Sequence, residues 1–329
     1  MDNITHTLAG LLLSRAGCNR LTPRANWILI LAANAPDVDV VSSFGGSLTF
    51  LHYHRNVTHA LIAWPILPVF CVLLVSLAFR HRLPWIGAYV TAVIGVASHL
   101  ALDLTNIYGV RLLEPFSGRW FRWDLTSVID FWIWGVLLIA TLAPMLARLV
   151  NSEIGAATRG GAYRGFAVAA LAFLVLYNGT RYILHDRVIA MLESREYAGV
   201  AARRVAAFPT MSLIRWRGLA ETADSFVIEE IDLSRDFDPS TGRTFYKPEA
   251  SPAIDAANRS DVFQEYLRFA QYPFWQVLPA EQAENATRVE AMDLRFGDPQ
   301  SPGFIATAIV DAHLRILRAW FQFGRAAPR

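Results

Sequence analysis

Residues 83–104 read LPWIGAYVTAVIGVASHLALDL. Most of this stretch is apolar, and its length matches the ~20 residues a helix needs to cross the hydrocarbon of a bilayer. Small residues at Ala88, Ala92, Gly95 and Ala101 would let other helices approach closely. The end of the stretch is different. Ser98, His99 and Asp103 are polar in a setting where polar side chains are expensive and usually functional. His99 and Asp103 are one helical turn apart and point the same way. An imidazole nitrogen and a carboxylate oxygen in that relation can bind one divalent metal. The bland alternative is a helix end at which Asp103 caps the helix or pairs with Arg111.

The rest of the chain fits a membrane protein. Its 329 residues are 54% hydrophobic and only 18% charged, against about 25% charged in soluble domains. Mean hydropathy is +0.31. Three further runs, 58–79, 128–150 and 163–184, are long enough to span. Two shorter ones, 4–13 and 27–35, are either short tilted spans or helices buried against the others. A net charge of +2 is too small to argue for nucleic acid. Cys18 and Cys71 provide neither a disulfide framework nor a zinc-thiolate site. The start, Met1-Asp2-Asn3, is not basic, so no cleavable signal peptide is expected.

Arginines between the runs set an expected topology. Arg15, Arg20 and Arg24, then Arg80 and Arg82, then Arg148, Arg159 and Arg164 fall on one side if the runs alternate. The positive-inside rule assigns that side to the cytoplasm. The other side then collects His6, Asp37, Asp39, His54, His59, His99 and Asp103, none of which entered the charge count. Arg111, Arg119 and Arg122 also lie there and weaken the bias. The expected location is the cell inner membrane, multi-pass, with this face non-cytoplasmic.

Beyond about residue 190 charges become frequent and long apolar runs stop. Residues 211–219, 225–233, 287–296 and 304–310 look like strands, and 313–323 suits either strand or helix. Residues 261–271 look like an amphipathic helix, with Val262, Phe263, Tyr266, Leu267 and Ala270 at helical spacing. Turn-forming residues cluster at 236–242 and 297–303. The expected fold class is mainly α: a polytopic helical membrane domain, 1–188, followed by a small C-terminal α+β domain, 189–329.

The other candidate donors are individually weaker than His99 and Asp103. In His54-Arg55-Asn56-Val57-Thr58-His59, His59 would start a long helix with Thr58 as its cap. His54 would lie in the loop before it, as a second ligand or proton donor. Asp37 and Asp39 follow Pro36 on an irregular segment, where one carboxylate can bind metal while the other activates water. His6 alone reads as a satisfied core histidine. Asp124 and Asp130 are candidates for orienting ligands or completing a second site. His52 and His185 read as surface or interfacial residues, and His81 lies among the arginines of the opposite side. Neither a Gly-rich phosphate loop nor a G-x-S-x-G motif is present, so a serine or cysteine nucleophile has no support.

Taken together, Met1-Asp2-Asn3-Ile4-Thr5-His6 with Gly10, Pro36-Asp37-Val38-Asp39, the His54–His59 motif, Ser98-His99-x3-Asp103-x-Thr105 and the stretch from Arg111 to Ser117 resemble the YdjM-like family of membrane-bound, metal-dependent hydrolases over residues 1–130. That family is grouped distantly with zinc-dependent phospholipase C and S1/P1-type nucleases. The resemblance implies His6, Asp37, His59, His99 and Asp103 as metal ligands. Two departures bear on the number of ions. The secreted enzymes use their mature N-terminal residue as a ligand, whereas Met1 here is followed by Asp2. A second His-x3-Glu motif is also missing after Asp103. One or two ions are expected rather than three.

The expected function is metal-dependent hydrolysis at the membrane surface, with zinc the first choice for a nitrogen and oxygen donor set. A metal-activated water would attack a phosphoester or lipid-like substrate, with Asp39 and His54 in catalytic roles. Membrane lipids are the expected partners. The identity of the substrate and the oligomeric state are left open. Two alternatives are a metal- or proton-coupled transporter, in which donors would be spread through the membrane depth, and a non-catalytic membrane adaptor, which would need no metal.

Overall fold

A computed structural model describes residues 1–153, 162–235, 238, 241–280 and 285–324. Arg159 and most of the turn at 236–242 lie outside the described residues. The first helix, α1 (Asn3–Ala16), starts where the Asp2 carboxylate accepts from the amides of Ile4 and Thr5. It stops at Gly17, whose φ of 153° lets its amide return to the Leu13 and Ser14 carbonyls. Then come α2 (Ala25–Ala32), a 3-10 winding over Ala35–Gly45, α3 (Ser47–Tyr53), a 3-10 turn at Val57–His59 and α4 (Leu67–Ala78). The membrane part ends with α5 (Trp85–Thr105), α6 (Phe131–Glu153) and α7 (Ala162–Glu193).

Three of these helices, α5, α6 and α7, are long and apolar enough to cross a membrane. A fourth span results if α2 and the winding after it, bent by 44°, are taken as one. The run 58–79 is not one helix, contrary to the sequence expectation. Pro65 removes an amide donor and disfavours helical conformation at Trp64 before it. Pro68 is tolerated in the first turn of α4, which has only 12 residues. His59 therefore sits on a separate turn, and Thr58 caps no long helix.

Close approach of α1, α2 and α5 places the donors. A methyl group on Gly10 would come within 2.7 Å of the Leu29 carbonyl oxygen, and one on Gly95 within 2.6 Å of the Ala32 methyl. Helix α2 is thus held between the other two with no room for larger residues. Ala88 and Ala92 are also buried in this packing, but Ala101 faces outward, against expectation. At the opposite helix ends the arginines gather. Arg15 donates to the Thr141 carbonyl, Arg164 to the Ala16 carbonyl, and Arg24 lies over the Phe79 ring.

Helix α7 runs unbroken past residue 188 and packs Val188 and Leu192 against Ala207 and Trp216 of the following domain. After a hairpin of β1 (Glu196–Tyr197) and β2 (Val200–Ala201) come β3 (Arg204–Pro209), β4 (Arg215–Glu221), β5 (Ser225–Asp232) and β6 (Arg243–Tyr246). These four form an antiparallel sheet in the order β3-β4-β5-β6. Helices α8 (Pro252–Asn258) and α9 (Asp261–Phe269) lead to β7 (Pro273–Pro279), β8 (Thr287–Asp293), a small hairpin of β9 (Gly297–Asp298) and β10 (Ser301–Pro302), β11 (Phe304–Val310) and β12 (Ile316–Phe323). The second sheet has the order β12-β11-β8-β7.

Phe208, Leu219, Ile228, Phe274, Met292 and Ile305 share one core, while Phe263 and Tyr266 of α9 pack with Val289 and Ala306 in another. The expected strands at 225–233, 287–296 and 304–310 correspond to β5, β8 and β11, and 313–323 is resolved as strand. The expected strand 211–219 starts later, at Arg215, because Ser212 and Thr210 close a turn there. The chain is a helical membrane domain joined to a small α+β domain.

The α+β domain is fastened to the end of the bundle where α5 finishes. Buried Arg295 donates to the Asp293 carboxylate at 2.8 Å, to the carbonyls of Ile107 and Tyr108 at 3.1 Å each, and to the Phe269 carbonyl at 2.9 Å. Trp120 in the 106–126 connection donates to the Arg268 carbonyl at 2.9 Å.

Candidate metal centre

All seven donors singled out in the sequence meet at this end of the bundle. His6 comes from the first turns of α1, Asp37 and Asp39 from the 3-10 winding after α2, His54 from the end of α3, His59 from its own short turn, and His99 and Asp103 from the last turns of α5. His6, His59, His99 and Asp103 are fully buried, and Asp37 and Asp39 are nearly so.

Four of them form a tight set. His59 Nε2 and His99 Nε2 are 3.1 Å apart. Asp37 Oδ1 is 3.4 Å from His59 Nε2 and 3.7 Å from His99 Nε2. Asp103 Oδ2 is 3.5 Å and 3.4 Å from the same two nitrogens. A tetrahedral shell with bonds of about 2.0–2.2 Å has donor–donor edges of roughly 3.3–3.6 Å. The spacing therefore suits four ligands on one ion.

The hydrogen bonds orient these donors inward. His99 Nδ1 is 2.7 Å from the Ala33 carbonyl oxygen, which only accepts, so Nδ1 carries the proton and the Nε2 lone pair faces the cluster. His59 Nδ1 lies 3.3 Å from Asp39 Oδ2 and 3.1 Å from Thr58 Oγ1, leaving Nε2 for the cluster. A carboxylate or carbonyl behind each ligating imidazole is the usual support for a metal site. Neutral imidazoles arranged in this way would bring two lone pairs face to face. Asp37 Oδ1 and Oδ2, Asp103 Oδ2 and both nitrogens of His6 have no hydrogen-bond partner. Buried polar atoms without partners are costly, and a cation among them would satisfy several at once. The donor set fits a divalent ion.

His6 is more than the satisfied core histidine the sequence alone suggested. Its ring stacks on His99 with centroids 3.8 Å apart, and its Nε2 is 3.4 Å from Asp103 Oδ1. The second group, Asp37, Asp39 and His54, also has donor atoms close enough to share an ion. His54 Nδ1 is 3.0 Å from Asp39 Oδ1. Burial lowers the imidazole pKa of His54 below its ordinary value, with the Asp39 hydrogen bond opposing. This group is less enclosed, since the His54 side chain is 15% exposed.

Sequence reasoning missed one participant and set another aside. Buried Arg55 donates to Asp103 Oδ1 at 3.1 Å, to Asn106 Oδ1 at 3.3 Å and to the Gly109 carbonyl at 3.0 Å. Its φ of 57° is left-handed, uncommon for a side chain of this size. In that conformation its amide donates to Asp39 Oδ2 at 2.8 Å. The only available signal was its place inside the His54–His59 motif. Met1, set aside because Asp2 follows it, lies with its backbone nitrogen against Asp103 Oδ1.

The remaining candidates lie elsewhere. Asp124 pairs with Arg122. Asp130 accepts from the Trp132 and Ile133 amides at the start of α6 and from the Tyr177 hydroxyl. Neither joins the cluster. Asp103 pairs with Arg55 and not with Arg111, whose partner is Glu114. His52 bonds Glu265 of α9 at 2.7 Å, His185 is packed against Trp216, and His81 is at the arginine end.

Two known protein families match parts of this chain. Residues 1–188 match the YdjM inner membrane protein family, and residues 252–323 match the YfhP C-terminal alpha/beta plait domain. The uncharacterized protein YfhP of Bacillus subtilis (strain 168) is 24% identical across 96% of this chain and 93% of its own length. The inner membrane protein YbcI of Escherichia coli (strain K12) is 31% identical over 134 residues, 39% of this chain and 76% of the relative. No solved structure matches. With more than half of its length matched, and with YbcI similar over most of that protein, the chain belongs to the YdjM inner membrane protein family.

Proposed function

We propose that this protein is a membrane-bound, metal-dependent hydrolase, with Asp37, His59, His99 and Asp103 holding one divalent ion and His6 beside them. The observation that carries the proposal is the convergence of His59 Nε2, His99 Nε2, Asp37 Oδ1 and Asp103 Oδ2 at separations of 3.1–3.7 Å. Zinc is the preferred ion for two imidazoles and two carboxylates. When bound, such an ion supplies Lewis-acid polarisation of a phosphoryl or carbonyl oxygen and raises the acidity of water. Asp39 orients His59 and His54, and Arg55 holds Asp103. The inner four donors leave little room for substrate. We place the chemistry at the outer group, Asp37, Asp39 and His54, whose donor atoms could hold a second ion. With no second ion bound there, His54, partly exposed and oriented by Asp39, is placed to accept or deliver a proton at the substrate.

The substrate class proposed is a phosphoester or lipid-like molecule, because the site is where the membrane helices meet the α+β domain. We also propose that this end faces away from the cytoplasm, on the strength of the arginines gathered at the other end. Cysteines placed at Ser43 and Asn19, in a background lacking Cys18 and Cys71, should react in intact cells at Ser43 only with an impermeant reagent. The reverse labelling would place the chemistry in the cytoplasm.

The activity test uses purified full-length protein in liposomes against phosphodiester, phospholipid head-group, carboxylester and amide substrates. Turnover should be abolished by a chelator, restored by zinc, and lost in His99→Ala protein while His52→Ala protein retains it. Equal turnover in both variants, or none on any substrate by metal-loaded protein, would refute the hydrolase reading. The full burial of the inner donors favours a second reading, a metal that fastens the N-terminal helices without catalysis. Bound metal with no turnover would select it.

A further inference from the structure

A separate site lies at the other end of the bundle. The ends of α1 and α6 and the start of α7 border an open cavity of about 670 Å³ lined by Arg15, Arg20, Arg148, Arg164, Tyr163 and Met145 among others. His6 and Arg15 are at opposite ends of α1, so this cavity is distinct from the His/Asp cluster. Two guanidinium groups share one aromatic ring, with Arg148 4.0 Å and Arg15 5.2 Å from the centroid of Tyr163. Arg164 is tethered by its bond to the Ala16 carbonyl at 3.1 Å, and Arg15 by its bond to Thr141 at 3.0 Å. Among the described residues no carboxylate forms an ion pair with any of the four arginines. Like charges crowded in this way repel one another, and an anion between them would relieve the repulsion. Guanidinium forks match phosphate oxygens.

The surroundings identify the kind of anion. Leu142, Leu146 and Leu149 lead away from the cavity along α6 and are 48%, 60% and 64% exposed. On a helix of membrane-spanning length this is a surface for acyl chains. We propose that the arginine cavity binds the phosphate headgroup of an anionic phospholipid, with its acyl chains along α6. Basic pockets between membrane helices bind anionic headgroups through the same physics.

The test is native mass spectrometry of the full-length protein released from detergent. It is titrated with phosphatidylglycerol or with phosphatidylcholine of the same acyl chains, and with inorganic phosphate as competitor. Phosphatidylglycerol should bind at least ten-fold tighter than phosphatidylcholine. Arg148→Gln and Arg164→Gln should each weaken phosphatidylglycerol about five-fold, and Arg203→Gln, an exposed arginine of the α+β domain, should not. Arg15 is left intact because its bond to Thr141 joins two helices. The headgroup preference of the unmodified protein tests the proposal even where a variant folds poorly. Equal binding of the two lipids, or variants that bind phosphatidylglycerol as well as the parent, would overturn it. Displacement of the lipid by equimolar inorganic phosphate would show a free-anion site instead and would overturn it too.

Discussion

Two buried charged clusters lie near each other in this protein, and they are finished differently. Around Arg295 the donors meet acceptors: Asp293, Ile107, Tyr108 and Phe269 take its hydrogens, and the Gln271 amide takes another lone pair of Asp293. Around His99 acceptors meet acceptors. Asp37, Asp103 and His6 retain atoms without partners, while the hydrogen bonds present aim the remaining lone pairs at one another. A satisfied network of the first kind is a fastening. An inward-facing set of the second kind would be completed by a cation, because desolvated carboxylates without partners are heavily penalised.

The largest expected effect breaks the second cluster. Asp103→Ala removes the residue that touches His6, His59, His99 and Arg55. Metal retained after dialysis, read by elemental analysis, should fall from at least one equivalent to background. Unchanged content in this variant and in His99→Ala would remove the basis for a metal site.

Next comes the first cluster. Arg295→Met strands a buried carboxylate and should destabilise the protein by about 3–5 kcal/mol, seen in denaturant unfolding, with metal content retained. Replacing Asp293 by Leu as well should recover much of the loss. If Arg295→Met instead emptied the metal site with little effect on stability, the division between fastening and ligand set would be wrong.

A smaller effect sharpens the boundary between ligand and support. Asp39→Asn leaves the inner four donors in place but weakens the groups behind His59 and His54. Loss of such support typically lowers metal affinity about 10–100-fold. Stoichiometry distinguishes the two roles open to Asp39. If it only orients, the number of ions at saturation is unchanged. If it also binds an outer ion with Asp37 and His54, saturation falls by one.

The inner cluster was readable in the sequence to the extent that its residues announce themselves locally. His99 and Asp103 are paired by helical spacing. What could not be read is the convergence of segments that are not regular helices. His59 was assigned to a long helix because hydropathy ignores what Pro65 does to the backbone. Arg55 acts through a left-handed φ and through contacts to Asn106 and Gly109, both distant in sequence. Met1 was set aside because Asp2 follows it, a departure from the pattern of the secreted enzymes. In the α+β domain, β5 and β11 were legible as apolar runs. Strand β6 was missed because its four residues, Arg243–Tyr246, are mostly exposed, and β7 is interrupted by Gln276 and bounded by prolines.

The smallest predicted effect concerns a third buried acid, which has neither kind of completion. Glu229 on β5 is 3% exposed, and neither of its carboxylate oxygens has a hydrogen-bond partner. Burial, with Asp238 adding repulsion, pushes its pKa up from the ordinary 4.5 to about 7. The folded state therefore prefers the protonated acid. Below about pH 4.5 the residue is neutral whether the chain is folded or not, and it carries no penalty. Between about 4.5 and 7 the unfolded chain releases the proton more readily, so stability falls as pH rises. Above about 7 the loss is complete and constant. Glu229→Gln removes the titration while keeping the shape. Relative to the parent, the variant should melt at a similar temperature near pH 4.5 and about 2–4 °C higher at pH 8, with Trp216 fluorescence as the readout. A difference in melting temperature that is the same at both pH values would mean that Glu229 is stabilised as the carboxylate by a cation or another donor. It would then belong with the His99 cluster and not apart from it.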